Sequence, residues 1–137
     1  MVHRVLDHPA DTGIEAEAES LSRLVEELAT AMFGLVAPVN PEAARHWVEV
    51  GVSSPSVEDL VVDILSELLY RSEVDGVTFG AFRATISTVG HSATVEAGGI
   101  PDKEVDTTGP PIKAVTYHEL VIRGQADRWY GRVYLDV

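Results

Sequence analysis

The sequence predicts an α+β fold in a single domain spanning residues 1–137: a sandwich in which two helices pack on a mostly antiparallel sheet. Three observations carry the prediction. Two segments of the N-terminal half place apolar residues at helical spacing. From Gly76 onward the strong signals are of strand type. Helices therefore cluster early and strands late, the order of an α+β chain rather than of alternating βαβ units.

Residues 2 to 6 read as a short strand that leads into the Asp-rich stretch "LDHPAD", with Asp7, His8 and Asp11 around Pro9. Proline in a helix interior costs about 3 kcal/mol or more, so a loop or a broken strand presents these carboxylates. "GIEAEAE" alternates, with Ile14, Ala16 and Ala18 on one face and Glu15, Glu17 and Glu19 on the other, as a half-buried strand does. Ser20 is placed to cap a helix in which Leu21, Leu24, Val25, Leu28, Met32 and Phe33 form the buried stripe, and Gly34 is expected to stop it. "HWVEVGV", residues 46 to 52, reads as a strand. The next helix is the clearest in the chain. Ser56 and Asp59 stand at capping-box spacing, Leu60, Val61, Ile64, Leu65, Leu68 and Leu69 form its stripe, and Gly76 ends it. "TFGAFRATI" and "SATVEA" are expected to pair through "STVGHS", and "IKAVTYHELVIR" with "RWYGRVYLDV" through "GQAD".

Composition narrows the function. The chain has 137 residues, 45% of them hydrophobic, enough to bury a substantial core and too many for disorder. No apolar run approaches the ~20 residues of a membrane helix. "MVHRVLDHPAD" has no secretory apolar region, so the expected location is cytoplasmic. The absence of cysteine excludes disulfides, thiolate metal ligands and cysteine nucleophiles together. Twenty-two acidic side chains against ten basic ones give a formal net charge of −12. The basic residues are scattered along the sequence, so tight direct binding of nucleic acid is not expected. An acidic body suits a basic protein partner or divalent cations, although acidity alone also serves solubility.

Walker, G-x-G-x-x-G, H-E-x-x-H and G-x-S-x-G patterns are all absent, and the sequence offers no complete catalytic constellation. Hard oxygen ligands remain. Asp7 and Asp11 lie near the start, Asp136 next to the final Val137, and they would converge if the last strand ran beside the first ones. Ligation by oxygen alone suits Ca²⁺ or Mg²⁺ rather than Zn²⁺. Against this, an Asp before a turn ordinarily satisfies a local amide and a chain-terminal Asp is ordinarily solvated, which composition alone favours. His8 could orient one of the aspartates; His3, His46, His91 and His118 are assigned no metal. Lys113, one of two lysines, follows Pro110-Pro111 and reads either as a surface charge or as a contact to a phosphate or carboxylate.

Three separated segments together resemble the archease family. "LDHPADTGIEAEAESLSRLVEELATAMFGLV" is similar to that family's opening signature, "IKAVTYHELVI" to its most recognisable internal segment, and "WYGRVYLDV" to its ending, where an aspartate precedes the last residue. The segments occur in the family's order and span essentially the whole chain. The sequence departs from the pattern at Pro9 and Thr12, and in residues 101–111, where "KEVDTTGPP" stands in place of the usual Arg-His pair.

The resemblance implies an accessory protein of the RtcB-type RNA-splicing ligase, one that promotes guanylylation and multiple turnover of that ligase in tRNA splicing. It implies an α+β sandwich and a bound divalent cation, Ca²⁺ foremost, with Mg²⁺ or Mn²⁺ as alternatives. Carried over by position, the metal ligands fall on Asp11, Asp136 and Val137, the last through its backbone or terminal oxygens, with Asp7 capping or supporting the site. Lys113 falls on the lysine that matters for activating the ligase. The expectation is thus a protein that is not an enzyme and does not associate with membranes. A general chaperone or assembly modulator is the first alternative and a small metal-dependent enzyme the second; no nucleophile paired with a base favours the latter.

Overall fold

The computed structural model describes residues 2–7, 11–87, 89 and 91–137. His8 and Pro9 lie outside the described residues, as do Thr88 and Gly90 of the expected "STVGHS" turn and the side chain of Asp7.

Two antiparallel sheets and two helices make up the fold. Strands β1 (Val2–Asp7), β2 (Asp11–Ala18), β6 (Ala114–Val115), β7 (Val121–Gln125) and β8 (Arg128–Asp136) form one sheet, with β8 at its centre: β2 runs along one edge of β8, and β7 and β6 share the other. Strands β3 (His46–Ser53), β4 (Val77–Ser87) and β5 (Ser92–Pro101) form the second sheet in the order β3-β5-β4. Helix α1 (Leu21–Val36) packs against β2 of the first sheet and β4 of the second, and α2 (Val57–Asp75) likewise touches strands of both, so the sheets share one core. Phe79, Leu28, Leu65, Met32, Ile14 and Leu135 are among the fully buried side chains, each worth about 1.5–3 kcal/mol relative to exposure.

The alternation of β2 is as expected: Ile14, Ala16 and Ala18 are buried, while Glu17 is exposed on the other face. Ser20 caps α1, its Oγ accepting the Arg23 N–H at 3.1 Å, and Ser56 caps α2 by accepting the Asp59 N–H at 3.1 Å. Gly76 closes α2 in the left-handed conformation, φ 67°.

Two boundaries differ from expectation. Gly34 does not end α1, which continues to Val36, because Leu35 and Val36 pack against the core and Ala37 donates its N–H to Phe33 O at 3.0 Å. "IKAVTYHELVIR" is not one strand: it breaks between β6 and β7, where Glu119 takes φ 47° and Leu120 N–H bonds back to Tyr117 O at 3.2 Å. The segment 101–111 that departs from the family pattern is tied to the end of α1. Thr108 and Gly109 donate their N–H groups to Val36 O at 2.8 and 3.1 Å, filling a carbonyl that the helix terminus leaves open.

Candidate functional site

The register of β2 on β8 sets Asp11 directly opposite Asp136. Opposed residues of an antiparallel pair lie about 4.5–5.5 Å apart at Cα and project to the same face. Like charges placed so are destabilising unless something compensates them. Among the described residues neither carboxylate has a hydrogen bond or ion pair. Asp136 is exposed and Asp11 half-buried. The strand positions come from the patterns already described: buried Ile14, Ala16 and Ala18 fix the inward face of β2, and buried Val133 and Leu135 that of β8. Asp11 and Asp136 are left on the outer face by alternation.

β6 brings the third candidate to the same end of the sheet. Ala114 pairs with Asp136, and the Lys113 N–H donates to Asp136 O at 2.7 Å. Alternation makes Ala114, not Lys113, the residue sharing a face with Asp136. Lys113 is exposed. Val137 is half-buried and packs against the core, which anchors the chain beyond Asp136. The described residues gather no group of three or more His, Cys, Asp or Glu side chains. A cation held here by described residues would take two carboxylates and main-chain oxygens, a hard donor set without nitrogen or sulfur.

A second network escaped sequence reading. Tyr117 donates its hydroxyl to Asp59 Oδ1 at 2.7 Å, and Ser56 Oγ donates to Asp59 Oδ2 at 2.8 Å. The segment that carries Lys113 is thereby fastened to the first turn of α2. The Asp59 hydrogen bond pushes the Tyr117 phenol up to about 12, and the Tyr117 and Ser56 hydrogen bonds hold Asp59 below the ordinary carboxylate value. Behind Tyr117, the His118 ring meets Tyr134 edge-on at 5.6 Å. Tyr117 and Asp59 are far apart in sequence, so no local periodicity announces the pair; the only signal was the unusual density of polar residues in "VTYHE".

Along the outer face of the five-stranded sheet, Glu15 accepts from Tyr130 Oη at 2.6 Å and from Arg4 Nη2 at 2.8 Å. Burial first, and Glu15 second, hold the Tyr130 phenol above its ordinary value. Arg4, Arg132, Arg123 and Arg128 all belong to the outward positions of this sheet, yet β2 interleaves Glu15 and Glu17 among them. Basic residues scattered in sequence thus gather on one face without making it a basic patch.

Residues 3–137 match the Archease protein family (MTH1598/TM1083). A protein archease of Methanosarcina acetivorans is 35% identical over 139 residues, covering 98% of this chain and 95% of the relative. The solution structure of Methanobacterium thermoautotrophicum protein 1598 superposes with a TM-score of 0.83 at 28% identity, covering 98% of each chain. The crystal structure of an archease, possible chaperone, from Thermotoga maritima superposes with a TM-score of 0.65 at 20% identity, covering 96% of this chain and 94% of the other.

Proposed function

The chain belongs to the archease family, and from that premise we propose that it activates an RtcB-type RNA-splicing ligase, promoting the ligase's guanylylation and multiple turnover while holding a divalent cation at Asp11 and Asp136. The observation that carries the reading is the facing pair of carboxylates on β2 and β8, with no compensating partner among the described residues. A cation would relieve their repulsion, and Ca²⁺ or Mg²⁺ fits an all-oxygen set. Bound there, it supplies positive charge at an otherwise anionic sheet end. Val137 completes the set through a backbone oxygen, and the core packing of its side chain keeps that oxygen at the sheet's end.

Lys113 serves a different part of the same task. It is exposed, and the bond from its own N–H to Asp136 O fixes its backbone. A flexible ammonium on a fixed backbone suits contact with a phosphate or carboxylate on the partner. The protein acts as a binding partner and not as an enzyme, and it docks on the ligase without competing for RNA. Chaperoning of unfolded clients is the weaker reading. The large exposed apolar side chains among the described residues are dispersed over β1, β3, α2 and two turns and offer no continuous apolar surface.

Transfer of label from radioactive GTP to the cognate ligase, measured with and without the protein, tests the proposal. Stimulation by the wild type is expected, with loss in Asp11→Asn, Asp136→Asn and Lys113→Ala variants that keep the wild-type melting temperature. No stimulation by the wild type overturns it.

A further inference from the structure

At the opposite end of the five-stranded sheet from Asp11, seven residues along β2 and roughly 23 Å away at ~3.3 Å per residue, lies an open cleft of about 850 Å³. It runs between the β7–β8 hairpin and the end of β2. Tyr130 lines it from the outer face of β8, and Trp129, at the next position and on the opposite face, borders it where β2 ends. The Arg123 guanidinium lies over the Tyr130 ring, 4.9 Å from the centroid, and Trp129 lies flat against Gly124, where a Cβ would come within 2.1 Å of the indole. The hairpin backbone is therefore shaped around its tryptophan, and the arginine is held in place by a cation–π contact.

Two of the arginines lining this cleft differ from the other arginines of the chain. In a chain so rich in acids, Arg4, Arg23, Arg45, Arg71 and Arg83 each hold a carboxylate, and Arg132 donates to Glu119 O. Arg123 and Arg128, both in the cleft, have neither partner among the described residues. Glu17, Glu19 and Asp127 line the same cleft and likewise hold no cation. Charges of both signs thus face one space without neutralising each other, beside the Tyr130 ring.

We propose that this cleft binds a peptide segment of a partner protein that carries charges of both signs beside an aromatic or aliphatic side chain. The volume lies within the range of sites that enclose drug-sized ligands, which matches a few residues of peptide. Carboxylates of the segment meet Arg123 and Arg128, its ammonium or guanidinium groups meet Glu17, Glu19 and Asp127, and its apolar side chain packs beside Tyr130. The three carboxylates exclude a polyanion such as RNA, and the two arginines disfavour a purely basic tail. The site is distinct from the Asp11–Asp136 end, and the proposal stands or falls independently of the ligase reading.

Nitrogen-15 NMR of the full chain tests it, with neither ligase nor divalent ion present. Four probes are titrated: three peptides of equal length around a central tyrosine, with flanks alternating Glu and Lys, all Glu or all Lys, and an oligouridylate. The indole resonance of Trp129 reports the cleft, and that of Trp47, on the other sheet, serves as the control. The alternating peptide is expected to move Trp129 saturably and to bind about tenfold tighter than the other three probes. Arg123→Glu with Arg128→Glu should shift preference to the all-Lys peptide, and Glu17→Lys with Asp127→Lys to the all-Glu peptide. An unmoved Trp129 with the alternating peptide, equal affinity for a uniformly charged peptide, tightest binding of the RNA, or unchanged preference in both variants overturns the proposal.

Discussion

Asp11 and Asp136 occupy opposed positions on neighbouring strands, and that geometry would tie the proposed metal binding to stability. Without a cation, replacing Asp11 by Asn removes a like-charge contact, so the Asp11→Asn variant should melt at or above the wild-type temperature. With Ca²⁺ the order should reverse. A ligand that binds only the folded state at a hundred times its Kd stabilises by about 2.7 kcal/mol, and the variant should lose most of that shift. Equal calcium-induced shifts in thermal melts of the two proteins would remove Asp11 from the site. Tyr117 and Asp59 give a second prediction, in which the sign follows from the directions of their shifts. The Tyr117 value is raised to about 12 from an ordinary 10.0, so its contribution to stability is complete below pH 10 and is lost as pH rises through 12. Asp59 is lowered from 3.8, so its contribution is present above that pH and is lost as pH falls through its folded value. Asp59→Asn should bring Tyr117 ionisation back toward its ordinary range, read as tyrosinate absorbance in an alkaline titration. An unchanged titration curve would show that Asp59 does not govern Tyr117.

At the scale of elements, glycine gives two predictions of opposite sign. Gly34 is exposed within α1, and a Cβ there would meet nothing within 4 Å. Gly34→Ala should therefore stabilise by about 0.5–1 kcal/mol, through helix propensity and a less flexible unfolded chain. Gly124→Ala would drive its methyl into Trp129 and should destabilise by about 1–3 kcal/mol, the usual cost of overpacking. Denaturant unfolding of both variants checks the pair, and a stabilised Gly124→Ala would contradict the packing. The same two regions mark where the sequence was readable. Capping serines, the helical stripes and the β2 alternation were legible because each is written in neighbouring residues. Gly34 misled because a glycine near a helix end ordinarily terminates it, whereas here the contacts of Leu35 and Val36 with the core, remote in sequence, carry the helix onward. The break between β6 and β7 was hidden for a related reason. Thr116 donates its N–H to Tyr134 O at 3.0 Å and the Tyr117 hydroxyl reaches α2, so the fold, and not the local pattern, turns the chain there. The facing of Asp11 and Asp136 needs strand order and register, which the pattern of either strand alone does not contain; family resemblance supplied the pairing, and Tyr117–Asp59 had no such guide.

For the molecule as a whole, the net charge of −12 should make salt act in opposite directions on folding and on the proposed docking. In the isolated chain, excess carboxylates repel one another in the compact state, and screening relieves that repulsion. Shortening the Debye length from about 8 Å at physiological ionic strength to about 3 Å at 1 M should therefore raise the melting temperature of the free protein. Local ion pairs such as Arg4–Glu15 and Arg83–Glu96 weaken over the same range, but exposed pairs are worth only about 0–1 kcal/mol each, so the relief of net repulsion dominates. The proposed docking on a basic ligase should behave oppositely, because the attraction between unlike surfaces is what salt screens. The dissociation constant should rise with salt chiefly through a slower association rate, since long-range steering is lost before short contacts are. Thermal melts of the free chain and surface-plasmon kinetics with the ligase across one salt series measure the two effects together. A melting temperature that rises while affinity and association rate stay constant would place the docking contacts among apolar or fully buried groups and remove charge as the basis of partner choice. Both quantities falling together would mean that pairs within the fold, not its net charge, dominate its electrostatics.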